Sequence, residues 1–142
     1  MLEEKLIQVF CDNFVAYYTA HSCHLNITGR NFYSDHKLLN KIYDDAQDQI
    51  DTIGELIRTL GAKAPETISE IMATAELEEK TGYDADSMLL LVLESQEHMS
   101  QAYHALYELA DLVDEDQIAN YAQDRILAHD KFIWMIKSTL EE

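Results

Sequence analysis

Four side chains in this sequence have the types and spacing of metal ligands. His24 and His36 lie twelve residues apart and flank a glycine-bearing turn, and Asp51 and Glu55 follow one helical turn apart on what reads as the next helix. Imidazole plus carboxylate is a ligand set for iron or zinc, and a site that keeps open positions can bind peroxide or oxygen. Distance divides the set. Fifteen helical residues separate His36 from Asp51, about 22 Å at a rise of about 1.5 Å per residue. Ligands sit about 2 Å from a metal, and paired metals lie about 3.5–4 Å apart. One copy of the chain therefore cannot close the site. A second copy must supply the other half, and an antiparallel two-fold dimer with two equivalent sites is the economical arrangement. Taken singly, each residue keeps a plainer reading: an acidic pair can be a solvated face, and a histidine near a helix end can be a cap or a core polar group.

The elements that must position these residues are helices. Four glycines and one proline in 142 residues leave few breaks, and the length suits one domain spanning residues 1–142. The first helix is predicted from about Glu3 to Asn26, with Leu2, Leu6, Val9, Phe10, Phe14, Tyr17 and Tyr18 on one face. A turn at Thr28-Gly-Arg-Asn31 separates it from a second, which opens near Ser34 as N-cap with Asp35 in its first turn and runs to Gly61. Thr67-Ile-Ser-Glu70 has capping-box form and opens a short helix to about Ala73. A third long helix spans about Asp86 to Asp111, its apolar block Met88 to Leu93 reading as buried nearly all round. A fourth opens at Asp114-Glu-Asp-Gln117, again in capping-box form, and runs to about Leu140 through Ile118, Tyr121, Ile126, Ile133, Trp134 and Ile136. The short first and last connections favour antiparallel neighbours, so the fold class is an all-α four-helix bundle with a short helix between the second and third long helices.

Composition removes several functions. With 27 acidic and 10 basic residues the net charge is −17, a field that repels phosphate backbones and attracts cations, so no nucleic-acid partner is expected. The N-terminus lacks a basic region followed by an apolar run, and no stretch of about eighteen apolar residues occurs, which predicts a cytoplasmic protein with no membrane partner. Cys11 and Cys23 fall about 18 Å apart along one helix, too far to pair within the chain, and read as buried free thiols. A di-iron bundle with its ligands inside one chain needs Glu-x-x-His on two helices. That motif is missing, so His98, His104 and His129 read as structural or surface residues. Zinc-finger cysteines, a nucleophile elbow and a phosphate loop are also absent.

The stretch His24-Leu-Asn-Ile-Thr-Gly-Arg-Asn-Phe-Tyr-Ser-Asp-His36, followed by Asp51-Thr-Ile-Gly-Glu55-Leu-Ile-Arg-Thr-Leu-Gly61, resembles the Dps-type miniferritins of the ferritin-like superfamily. Asp130-Lys-Phe-Ile-Trp-Met-Ile136 is similar to that family's last helix. The resemblance implies hollow dodecamers assembled from two-fold dimers. It also implies a ferroxidase centre shared across each two-fold, with His24 and His36 from one subunit and Asp51 and Glu55 from the other. Fe(II) would be oxidised there by hydrogen peroxide, or more slowly by dioxygen, and ferric mineral stored inside, with protection from oxidative damage as the result. Zinc is a possible substitute in the same site. Two departures stand near the ligands: Asn40, where many members have an acidic residue, and Leu25, where the family usually has tryptophan. The lysine-rich tails of DNA-binding members have no counterpart in this sequence. By position, Glu115, Asp116 and Asp124 are candidates for a three-fold channel. Besides the ferroxidase, a non-catalytic shell that sequesters iron or zinc fits the same residues.

Overall fold

The computed structural model describes residues 1–141, and five α-helices are the only regular elements among them. Four are long: α1 (Leu2–Asn26), α2 (Phe32–Thr59), α4 (Ala85–Leu112) and α5 (Asp116–Leu140). The short α3 (Ile68–Thr74) lies in the connection between α2 and α4. α1 packs against α2, α4 and α3, and α4 packs against α5, which is the expected four-helix arrangement.

Backbone chemistry sets the helix ends. Ile27 leaves α1 in an extended conformation and is buried, anchoring the first turn, while Gly29 at φ +122 takes a conformation that a side chain would strain. α2 starts at Phe32, so Ser34 lies inside its first turn and is not the N-cap; its hydroxyl donates to the Asn31 carbonyl at 3.1 Å. Gly61, at φ +88, ends α2 as predicted. Thr67 caps α3 by accepting from the Glu70 N–H at 3.1 Å, but the Glu70 carboxylate accepts from Glu66 N–H at 2.7 Å, one residue upstream of a standard box. The box expected at Asp114 does not form. Asp114 is left-handed, at φ 59, because it terminates α4: the next N–H, of Glu115, bonds back to the Ala110 carbonyl at 2.9 Å. A full capping box, unread in the sequence, joins Asp84 and Ser87 at the start of α4.

Two apolar clusters fill the bundle. Toward one end Leu6, Val9 and Phe10 of α1 meet Ile53 and Ile57 of α2, Met99, Tyr103 and Leu106 of α4, and Ile118 of α5. Toward the other, Ala20, Cys23 and Ile27 meet Leu39, Ile42, Leu89, Val92 and Ile136. Each large side chain fully buried this way contributes about 1.5–3 kcal/mol. Both cysteines are free and buried, their thiols pushed up to about 11 by loss of water. The apolar stripes are narrower than the sequence suggests at three places: Tyr18 and Trp134 are largely exposed, and Leu90 within the Met88–Leu93 block is half exposed. α1 covers both α2 and α4, so its buried arc passes through Val15, Ala16 and Ala20 and leaves Phe14 and Tyr17 at the margin.

Between the clusters lies a polar belt. The buried Arg125 guanidinium forms a two-pronged pair with Asp45, one arm at 3.0 Å, and also donates to His129 Nε2 at 3.0 Å. His129 Nδ1 therefore carries the ring proton and donates to Gln96 Oε1 at 2.6 Å. Burial, reinforced by the Arg125 charge, pushes the His129 pKa well down and keeps the ring neutral. Asn13 Nδ2 donates to the Ala46 carbonyl at 2.9 Å.

A buried carboxylate, Asp12 on α1, holds down the α3–α4 connection. Its Oδ1 accepts from the Glu76 and Leu77 N–H groups at 2.7 and 3.0 Å, and Oδ2 accepts from His98 Nε2 at 2.9 Å. Burial alone would raise the Asp12 pKa, but the hydrogen bonds from His98, Leu77 and Glu76 outweigh it and leave the carboxyl below its ordinary value. The same bond raises His98 above an ordinary histidine, with burial opposing. A histidine raised on folding stabilises most below its unfolded pKa of about 6.5 and loses that contribution as pH climbs through the folded value. Denaturant unfolding across pH should thus show wild type exceeding His98→Gln most below about pH 6.5, with the gap narrowing above it. A gap that widens with rising pH would contradict the pairing.

Candidate metal centre

The short α1–α2 turn folds the two helices back antiparallel, so His24, near the end of α1, and His36, in the first turns of α2, meet. Their rings stack, with centroids 3.7 Å apart and planes 16° from parallel. Each ring also bonds to the other's backbone: His24 Nδ1 to the His36 carbonyl at 2.8 Å, and His36 Nδ1 to the His24 carbonyl at 2.8 Å. A carbonyl oxygen only accepts, so both Nδ1 atoms carry hydrogen and both Nε2 atoms keep a lone pair. Outer hydrogen bonds of this kind orient histidine ligands and fix their tautomer. His24 is buried and His36 half-buried, and the Phe32 ring stacks over His36 with centroids 4.9 Å apart.

Asp51 and Glu55 project from an exposed face of α2 on either side of Gly54. A hydrogen bond shared with Asp51, and then the Asp51 charge, raise the Glu55 carboxyl above its ordinary value. A cation placed between the two carboxylates would oppose that shift. Among the described residues no three His, Cys, Asp or Glu side chains of one chain gather closely enough to hold a metal. The four predicted ligands thus form two separate pairs, each with donors free.

The other histidines hold different positions. His98 is tied to Asp12, His129 lies in the polar belt, and His104 is exposed. Asn40, four residues beyond His36, gives its Nδ2 to Asp44 at 2.9 Å and offers no carboxylate. Leu25, beside His24, is 61% exposed. Asp35, in the first turn of α2 as expected, is buried with Oδ1 unpartnered, and burial followed by the Asp86 charge raises its carboxyl. Glu115 is half-buried at the α5 N-cap, and Asp116 and Asp124 are exposed.

Sequence reasoning passed over His21 and Tyr43, and read Tyr17 only as part of the apolar face of the first helix. His21 lies flat on Tyr43, with centroids 3.9 Å apart and planes 3° from parallel, and Tyr43 stands edge-on to His24 at 4.9 Å. Tyr17 Oη is 2.8 Å from His21 Nδ1. The signal was available in the spacing: residues 17, 21 and 24 share one face of α1.

The described residues thus form an antiparallel four-helix bundle that presents a histidine pair at its first turn and an acidic pair further along α2. The ferritin-like domain model matches residues 3–142. The chain is 27% identical over 139 residues to the "DNA protection during starvation protein" of Helicobacter pylori strain J99, covering 96% of each. It is 30% identical over 140 residues to antigen TpF1 of Treponema pallidum, covering 97% of this chain and 79% of that one. The crystal structure of the Dps protein of Vibrio cholerae O1, described as a member of a broad superfamily of ferritin-like diiron-carboxylate proteins, superimposes with a TM-score of 0.93 at 26% identity, covering 99% and 89% of the two chains. The chain belongs to the ferritin-like family and is a Dps-type miniferritin.

The acidic pair permits a direct check. Replacing Asp51 by Asn should bring the Glu55 titration down toward the ordinary carboxylate range, read by carboxyl-carbon NMR. An unchanged Glu55 titration would show that the two side chains do not share a proton.

Proposed function

We propose that this protein, one domain over residues 1–142, is an iron-storing ferroxidase. His24 and His36 of one subunit and Asp51 and Glu55 of its two-fold partner bind Fe(II) as substrate, and twelve subunits enclose the ferric product. The reading is carried by the reciprocal imidazole-to-carbonyl bonds, which leave two Nε2 lone pairs side by side at a half-site with no carboxylate of its own. The carboxylate half lies further along α2, where the partner's copy serves the first chain in an antiparallel pair.

Two ferrous ions supply the two electrons that reduce hydrogen peroxide, with two protons, to two waters, so no hydroxyl radical leaves the centre. Dioxygen is the slower oxidant. Zinc, which accepts the same nitrogen and oxygen donors but does not change oxidation state, competes for the site without turnover. Asn40 adds no negative charge near His36, which makes the second iron position the weaker one.

DNA protection, the property named in the Helicobacter relative, follows here from removing iron and peroxide and not from binding. A dodecamer carries about −200 formal charges at −17 per chain, a field that opposes association with phosphate backbones. Part of that acidity, with Glu115, Asp116 and Asp124 as candidates, lines the channels that draw Fe(II) inward. No helix among the described residues is long and apolar enough to cross a membrane, and the proposed location is the cytoplasm.

Anaerobically loaded protein given hydrogen peroxide should oxidise Fe(II) well above the protein-free rate. Alanine at any of His24, His36, Asp51 or Glu55 should slow this at least about tenfold. Binding of Fe(II) without faster oxidation would leave a sequestering shell and remove the enzyme. Native mass should be that of twelve chains, and duplex DNA should stay unshifted at low salt.

A further inference from the structure

We propose that Asp35 and Asp86, in the first turns of α2 and α4, hold a hard divalent cation of the calcium or magnesium class that clamps these two helix ends together. The site uses none of the four proposed iron ligands, and it stands or falls apart from the ferroxidase reading.

Asp35 is 3% exposed, and its Oδ1 is buried with no hydrogen-bond partner. A carboxylate removed from water in this way is strongly disfavoured unless an opposite charge neutralises it. Among the described residues no Lys, Arg or His forms an ion pair with Asp35 or with Asp86. The charge that acts on Asp35 has the same sign: burial, and then Asp86, raise its carboxyl.

Packing brings the two acids to one place. Leu39, one turn beyond Asp35, and Leu89, one turn beyond Asp86, are buried in the same apolar cluster, so the starts of α2 and α4 lie at the same end of the bundle. The α1–α2 turn closes over that end, since a Cβ added at Gly29 would lie 3.9 Å from the Cβ of Ala85. First-turn positions favour the ionised carboxylate, because the free N–H groups and the helix dipole stabilise negative charge. Two like charges therefore meet where one of them is cut off from water.

The donor set selects the kind of ion. Among the described residues no third His, Cys, Asp or Glu side chain joins the pair closely enough to add a ligand. Structural zinc takes about four protein ligands and does not fit. Magnesium and calcium are held through carboxylate oxygens and complete their shells with water, which the exposed Asp86 admits. A divalent ion there cancels both charges and ties the first turn of α2, which carries His36, to α4.

The test strips the assembled protein with a chelator and titrates it with calcium chloride in about 0.15 M potassium chloride, where diffuse attraction to the acidic surface is screened. Calcium takes oxygen ligands, so the histidine pair stays silent. Wild type should bind about one more calcium per chain than Asp35→Asn or Asp86→Asn, with a dissociation constant of about 0.1–1 mM. An Asp51→Asn/Glu55→Gln chain should keep that ion. Asp86 is exposed, so Asp86→Asn serves even where Asp35→Asn disturbs folding. Equal calcium stoichiometry in wild type and Asp86→Asn overturns the proposal. Loss of the ion in Asp51→Asn/Glu55→Gln overturns it too, because calcium then sits on the other acidic pair. If Asp35→Asn melts below wild type in chelator while both bind calcium equally, the clamp is replaced by a cationic side chain of a neighbouring subunit.

Discussion

The structure around the proposed metal centre depends on two imidazole N–H groups donating across one turn. His24 and His36 each bond through Nδ1 to the other's carbonyl, and this pair of bonds does three things. It satisfies a carbonyl near the end of α1 that lacks a helical partner, it locks the α1–α2 turn, and it fixes both rings as the tautomer with Nε2 free. Ligand orientation and helix pairing are thus one constraint. In the proposed centre a substitution at either histidine would remove a ring nitrogen from the metal and a hydrogen bond from the fold together, which is why the acidic half offers the cleaner mutational probe.

The bundle interior shows why the centre lies outside it. A buried cation, Arg125, occupies the middle of the core, is paired with Asp45, and uses the lone pair of His129. That arrangement repels a second cation and leaves no free imidazole nitrogen there. The polar belt is satisfied by amide and guanidinium groups, so it specifies register between α2, α4 and α5. The proposed metal chemistry is assigned instead to the end of α1 and to α2, where one pair of donors is presented at the turn and another further along α2.

Most of the fold was legible because long helices with few glycines leave few alternatives, and the breaks at Gly29 and Gly61 fall where positive φ is needed. That His24 neighbours His36 and Asp51 neighbours Glu55 was legible for the same reason: twelve residues about a turn, and four along a helix, translate directly into neighbours. Errors came where one residue had two possible uses. Asp114 looks like a cap for α5 but takes the left-handed position that ends α4. Tyr17 and Tyr18 fit the apolar period equally, yet Tyr17 lies at the core margin and Tyr18 is 57% exposed. His21 was missed because its partners, Tyr17 and Tyr43, come from two helices, and only their packing reveals the stack.

The central claim is that each centre is built from two chains, and subunit mixing tests it most directly. A His24→Ala/His36→Ala chain and an Asp51→Ala/Glu55→Ala chain would be prepared separately and then assembled together in equal amounts. Each alone should be inactive toward Fe(II) and peroxide. In a mixed dimer one centre has all four ligands and the other none, so random pairing should restore activity to about a quarter of the wild-type level. Inactivity in dimers shown by mass to be mixed, or full activity in either double variant alone, would contradict the shared centre.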